Sequence, residues 1–488
     1  MPSATVDCLR MSEARLILWA MLKPMRAITI LLMLSGLETF ATFGEVTNQP
    51  PVRNPVAVSE VASGKRTSAN AAWWGFERDD STEVLQAALD SGARTLVIPH
   101  MGEPWVVRPL QLRSQQEIVF EPGVVVLAKK GEFRGGGDSL FSAVGQSNLV
   151  LRGYGATLRM HKRDYQNPPY TKAEWRMGLA LRGCRHVLVE GLRIESSGGD
   201  GIYVDGGGDL GWSEDITLRN CVAYDNHRQG LSVVSAVNLL VENCTFANTW
   251  GTAPEAGIDL EPDTEKQRLV NCVIRNCVFE NNNGNEVLVY LKPLTTNSQP
   301  VSIKFEHCLI RMTDARRTPP EPGPKEGING VAGIAIGNVR DNGPMGLIEF
   351  VDCVTENTGK ECVRIYDKSP DRARVRFVNC SFRNPWISPY PGDGGPRVPI
   401  LLHSRNPANA SNLGGIDFES CAIYDTTRRP AVRLEQDQGQ VGLRDVHGNI
   451  RVTAPGTPSV KLGNKLQDVD LTVRAEQKGD PGPGPGTN

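Results

Sequence analysis

The chain has 488 residues, with 53 Lys plus Arg against 55 Asp plus Glu and a formal charge of −2 at pH 7, which leaves no basic field to draw in nucleic acid. With 50 Gly, 33 Pro and 6% aromatic residues it is turn-rich, yet long enough to bury a large core. It contains no P-loop, dinucleotide fingerprint or HExxH, so nucleotide-binding and zinc-protease classes drop out.

Residues 1–45 read as a targeting segment. Lys23 and Arg26 precede the apolar run Ala27–Leu37, and small residues follow near Ala41, the layout of a secretory signal. The expected location is therefore secreted, periplasmic or at the cell surface. A membrane anchor starting near Leu16 is the alternative, but Lys23, Pro24 and Arg26 interrupt it, and the run is short for a bilayer span. Residues 46–72, rich in Pro, Ser, Asn and Val, read as a linker. The tail, residues 476–488, alternates Gly and Pro and reads as disordered. The fold is expected in residues 73–475.

Its first element is a helix over residues 80–92. Asp80 with Glu83 forms a capping-box pattern, Val84, Leu85, Ala88 and Leu89 share one apolar face, and Gly92 ends it. Beyond it the sequence repeats. A polar residue followed by cysteine closes an alternating apolar run at Asn220-Cys221, Asn243-Cys244, Asn276-Cys277, His307-Cys308, Asp352-Cys353, Asn379-Cys380 and Ser420-Cys421. Each run has the period-two pattern of a strand, and a second short strand follows, as in Gly201–Val204, Gly230–Val234, Gly257–Leu260, Glu286–Val289, Gly333–Ile336, Val363–Ile365 and Ala431–Leu434.

From Ile202 to Leu231, Leu231 to Ile258 and Ile258 to Val287 the step stays close to about 28 residues, a period that marks stacked repeats. The implied architecture is all-β, a parallel β-helix with one turn per repeat, whose open end the helix would plug. The 11 cysteines, odd in number and spaced by the repeat, fit small interior hydrophobes rather than disulfides, and Cys272 with Cys277 fits two interior positions of one turn rather than a zinc pair.

With Ile202, Leu231, Ile258, Val287, Ile334 and Val363 facing inward, chemistry belongs on the outward column Tyr203, Ser232, Asp259, Leu288, Ala335, Arg364 and on the next, Asp205, Val234, Glu261, Tyr290, Gly337, Tyr366. Asp259 and Glu261, two apart on one strand, place two carboxyls on one face, the minimum for glycoside hydrolysis. Asp200, before the strand two turns earlier, and His227 are candidates for the same patch, His227 as proton shuttle. Arg228 could hold a substrate anion, and Tyr203, Trp250, Tyr290 and Lys292 complete the expected substrate contacts. Trp212 is a further platform candidate. The insertions Arg159–Met177, Arg311–Gly330 and Asn384–Val398 carry Tyr165, Tyr170, Trp175, Trp386 and Tyr390, which either fasten loops to the coil or stack sugars. An acidic, turn-rich face that only keeps the sheet soluble is the plainer reading of the same residues.

Trp74-Gly-Phe76, then Asp79–Thr82, the helix and Thr95-Leu-Val-Ile-Pro99 resemble the opening of pectate lyase superfamily proteins. That resemblance implies a right-handed parallel β-helix with a capping helix, a fold that carries polysaccharide lyases, glycoside hydrolases, epimerases, phage tailspikes and non-catalytic proteins. Asp200 and Leu231-Ser232-Val233 also resemble a polygalacturonase pattern, but Gly201 replaces its second Asp, His227 sits two residues early with Gln229 in its place, and Tyr366 follows Arg364-Ile365 where Lys belongs. The leading expectation is an exported glycoside hydrolase acting on an extracellular polysaccharide. The alternative is a lyase or epimerase of uronic acids, with Arg228 or Lys292 as base and Ca2+ held by Asp205 and Asp209, aided by Asp200. A third is a non-catalytic carbohydrate-binding or surface-structural coil.

Overall fold

In a computed structural model of the protein, residues 52–313, 332–387 and 397–476 are described. The expected signal, the Gly/Pro tail beyond residue 476, Tyr390 and most of the insertion after Arg311 lie outside the described residues.

The second strands pair in parallel, one turn to the next, and their register matches the columns read from the sequence. Ile202, Leu231, Ile258, Val287, Ile334 and Val363 are successive partners, and so are Tyr203, Ser232, Asp259, Leu288, Ala335 and Arg364. They belong to a 12-stranded sheet running from Leu110–Gln111 to Val460–Lys461. The strands on either side of each polar-Cys bend stack into a 24-stranded sheet, also parallel. Each full turn, here called a rung, therefore contributes three strands around one core, and the fold is a parallel β-helix.

The repeat has a physical cause at its bend. All seven residues preceding the cysteines are in the left-handed region, with φ between 51° and 55°, where a short polar side chain costs least. The following cysteine turns inward, is buried, and its thiol donates to a carbonyl one rung earlier, as Cys353 does to Phe305 at 3.6 Å and Cys380 to Phe350 at 3.4 Å. Burial and the neighbouring thiols push the pKa of Cys353 and Cys380 upward, so these two remain protonated and inert. All ten described cysteines are free and buried. Beside this ladder Phe305, Phe350, Phe377 and Phe418 stack face to face with centroids 4.7, 5.0 and 5.2 Å apart.

At the N-terminal end the helix Thr82–Leu89 buries Leu85, Ala88 and Leu89 on the core. The capping box does not form. Asp80 accepts from the Thr82 N–H at 3.1 Å, while Glu83 turns outward to Arg108 at 2.5 Å, because a guanidinium offers a stronger partner than one backbone N–H. The linker expectation fails over its described part. Pro55–Ala62 is a helix, capped by the Asn54 side chain at 3.0 Å from the Ala57 N–H, and it buries Ala57 and Val61. Pro at the first helical position and apolar residues four apart outweigh the linker-like composition.

Phe377→Ala opens a gap in the middle of the phenylalanine stack and should cost about 3–5 kcal/mol of stability. A denaturant titration checks it, and a loss under about 1 kcal/mol would mean that the stack contributes little beyond filling space.

Candidate functional site

Between the Ile202–Asp205, Gln229–Val233 and Ala256–Leu260 strands the outward face carries a group of charges around one arginine. The Arg228 guanidinium lies 3.8 Å from Asp200, 3.8 Å from Glu261 and 3.9 Å from Glu174, and donates to Gln229 at 2.9 Å. Gln229 in turn donates its amide to Asp259 at 2.5 Å. Three consecutive rungs thus deliver Asp200, the Arg228-Gln229 pair, and Asp259 with Glu261 to one place. Glu174 comes from the insertion preceding the Leu179–Arg182 strand. That insertion is anchored by the fully buried Arg176, which donates to the carbonyls of Phe133 at 2.8 Å and Thr171 at 2.5 Å.

The electrostatics are unusual for the outside of a coil. Asp200 and Asp259 are both fully buried, while Glu261, Glu174 and Arg228 keep 31%, 30% and 19% of their side chains exposed and form the solvent-facing layer. Neither oxygen of Asp200 has a hydrogen-bond partner, and no donor reaches Oδ1 of Asp259. Burial pushes the Asp200 pKa up to about 7, with Arg228 offsetting part of the rise. Asp259 is raised well above the carboxylate range, first by burial and then by the adjacent Glu261, close enough to share a proton with it. Burial works against the charge on Arg228, but Asp200, Asp259, Glu174 and Glu261 together hold its pKa above the usual value. Four acids around one cation cannot all ionise in a low dielectric, so the cluster retains protons near neutrality.

The other expected residues fall elsewhere. His227 points away from its neighbour Arg228, into the bend, where its ring meets Thr252 at 2.9 Å and Gln166 at 3.4 Å. Burial, Lys162 and Arg176 lower its pKa to about 4, so it is neutral and does not face the carboxyls. Trp250 is not an open platform: its indole donates to Asp225 at 2.8 Å and the Lys162 ammonium lies 4.0 Å from its ring centroid. Tyr203 donates to Asp205 at 2.9 Å beneath the Arg182 guanidinium. Lys292 is exposed after the Val287–Tyr290 strand, and its carbonyl accepts from Arg340 at 2.7 Å. Tyr290 is half-buried, one rung beyond Glu261. Trp212 carries Arg268 stacked 3.6 Å from its centroid.

Asp205 and Asp209 do not fit Ca2+. Both Asp205 oxygens are taken by donors, the Gly206 N–H at 2.6 Å, Gln267 at 3.0 Å and Tyr203, and burial raises its pKa, the reverse of a carboxylate set up for a cation. Asp209 is exposed in the turn. Tyr165 and Tyr170 pack edge to face at 5.0 Å and fasten their loop, whereas Trp175 is 54% exposed. Sequence reasoning missed Glu174 and Gln229. Gln229 was legible as the side chain next to Arg228 at the strand start, but Glu174 sits in a loop without repeat phase.

The buried carboxyl gives a pH test. Asp200 is neutral in both folded and unfolded chains well below its ordinary value of 3.8, and its ionisation burdens only the folded chain as pH rises toward about 7. Asp200→Asn should therefore raise the melting temperature more at pH 8 than at pH 4, measured by calorimetry. An equal shift at both pH values would show that Asp200 does not titrate as described.

With the geometry in place, known proteins can be set beside it. Residues 171–314 match the family model described as the right handed beta helix region. The chain is 27% identical over 248 residues to the uncharacterised protein YclG of Bacillus subtilis strain 168, and 26% identical over 214 residues to the SPbeta prophage-derived uncharacterised protein YorA of the same strain. The alignments cover 45% and 41% of this chain but only 42% and 35% of those proteins, so the chain spans less than half the length of the curated relatives it matches. Among solved structures it is similar to the A-module of the mannuronan C-5 epimerase AlgE4 of Azotobacter vinelandii, with a TM-score of 0.56 and 16% identity over 82% of this chain and 99% of that one. The Dettilon tailspike protein gp208 gives a TM-score of 0.56 and 12% identity over 83% of this chain and 68% of that one. Likeness at such identities is likeness of fold, and in fold the chain is a right-handed parallel β-helix.

Proposed function

We propose that this protein is an exported carbohydrate-active enzyme that hydrolyses a glycosidic bond of an extracellular polysaccharide at the outward face around Asp259 and Glu261. One observation carries the reading: a fully buried Asp259, its pKa raised by burial and by the adjacent, partly exposed Glu261, on the outside of a coil where stability alone does not call for buried acids. Leaving carboxyl oxygens unpartnered costs roughly 1–3 kcal/mol each, a cost that a fold tolerates where a ligand or a reaction uses it.

In this mechanism Asp259 holds the proton for the leaving glycosidic oxygen, and Glu261, facing solvent, is the second carboxyl, which meets the developing positive charge at the anomeric carbon or activates water. Gln229 fixes the orientation of Asp259, Arg228 keeps Glu261 and Glu174 in place, and Asp200 is a second protonated acid behind them. Sugar-active likenesses of fold, the mannuronan epimerase modules among them, are consistent with a polysaccharide as substrate. β-Elimination is the weaker reading, since Arg228 is held charged by four acids and is a poor base, and Asp205, the first of the candidate calcium ligands, is occupied by donors. Export through the N-terminal apolar segment belongs to the same proposal.

Asp259→Asn and Glu261→Gln should each lower the release of reducing ends by about 10²–10⁴-fold, with the circular dichroism spectrum and polysaccharide binding retained. Full activity in both variants removes the proposal. New ultraviolet absorbance from an unsaturated product would replace hydrolysis by elimination.

A further inference from the structure

Beyond Asp259 the outward face changes character. The next residues in its column are Leu288 and Ala335, and the neighbouring column runs Tyr290, Gly337, Tyr366. Gly337 decides the local shape. A Cβ there would lie 2.0 Å from Cζ of Tyr366, so the Tyr366 ring lies across bare backbone. It joins Ala256, Leu288, Ala332 and Ala335 in an apolar cluster separate from the core, with Tyr290 packed against it and partly exposed. The outcome is a buried apolar cluster immediately beyond the carboxyls, with Tyr290 as its partly exposed aromatic edge.

Two guanidiniums border that cluster. Arg405 is exposed and lies 5.4 Å from the centroid of the Tyr366 ring. Arg340 buries its Nε without a partner and spends Nη2 on the Lys292 carbonyl. Through its bond to Lys292, Arg340 thus reaches the chain two residues beyond Tyr290, and Arg405 lies over the Tyr366 ring of the cluster against which Tyr290 packs. Two other arginines of this face are matched, Arg364 with Glu361 at 2.8 Å and Arg433 with Glu435 at 2.8 Å. Among the described residues Arg340 and Arg405 have no such ion pair. Asp367 is taken up by the N–H groups of Arg405 and Asn406 and by the Asn409 amide.

The partly exposed Tyr290 offers a sugar an aromatic contact, and the two arginines, without ion pairs among the described residues, offer an anion paired hydrogen bonds at its rim. We propose that this strip is a subsite for a sugar unit bearing a carboxylate or sulfate, so that the polysaccharide is anionic and lies along the coil with its charged unit one or two rungs beyond Asp259. The proposal rests on Asp259 and Glu261 as the reacting centre and adds the substrate class and the residues that read it.

The test uses the full chain carrying Glu261→Gln, titrated calorimetrically with oligouronates, with the same oligomers after carboxyl reduction, and with sulfated oligosaccharides of equal length. The charged oligomers should bind, the carboxyl-reduced ones at least about tenfold more weakly, and adding Arg340→Gln with Arg405→Gln should abolish the difference while the melting temperature stays unchanged. The uronate and sulfate arms identify the anion. Equal affinity for charged and neutral oligomers, unchanged selectivity in the arginine variant, or no binding of any charged oligomer overturns the subsite. Cleavage of a neutral polysaccharide that still needs Asp259 overturns the subsite and leaves the reacting centre standing. Charge-selective binding with full activity of Asp259→Asn does the reverse.

Discussion

Everything in this molecule depends on the in-register parallel pairing of one rung with the next. A strand in the coil has no partner within its own turn, so its backbone groups are satisfied only by the rungs above and below. Pairing therefore fixes not just spacing but parity: a slip of one residue would turn every inward side chain out. The left-handed bend before each cysteine re-sets that parity at every turn, and the thiol-to-carbonyl bonds and phenylalanine stack repeat with it. Columns of like residues inside follow directly, and so do columns of unlike residues outside, where selection for packing no longer acts.

The two outer faces handle charge differently. On the larger sheet, acids and bases alternate from rung to rung and pair off: Arg152 with Glu117, Arg219 and Arg275 with Glu242, Arg376 with Glu349 and Glu419. Such partly exposed pairs contribute little each, yet they keep a broad sheet soluble. The smaller sheet breaks this rule over a short stretch. It buries Asp200 and Asp259, gathers four acids around Arg228, and over the following rungs sets Arg340 and Arg405 beside a buried apolar cluster. Departures from local consistency of this kind concentrate where a protein does its work.

The cluster also shows how a rigid scaffold and a loop divide the labour. The rungs set the separation of Asp200, Gln229 and Asp259 through backbone pairing, which tolerates little drift. Glu174 arrives on an insertion instead, held by the buried Arg176 and its carbonyl partners. Small residues act at the other end, where Ala335 and Gly337 leave the space that the Tyr366 ring occupies. The geometry of the face is thus a matter of which rungs carry bulk and which carry none.

The sequence alone determined the repeat, the inward column from Ile202 to Val363, and the pairing of Asp259 with Glu261 on one face, because strand alternation and a constant period leave no other parity. It also marked Asp200 and Arg228 as neighbours of that pair, since stacking converts a separation of about one period into contact. Only the tertiary structure decided that His227 turns into the bend, that Trp250 covers Asp225 and Lys162, that Asp205 spends its oxygens on local donors, and that residues 55–62 form a docked helix. Side chains at bends obey no alternation, so their direction follows from whichever buried partner is within reach. Burial itself, which turns ordinary acids into protonated ones, depends on what the surrounding rungs and loops cover, and no local pattern in the sequence encodes that.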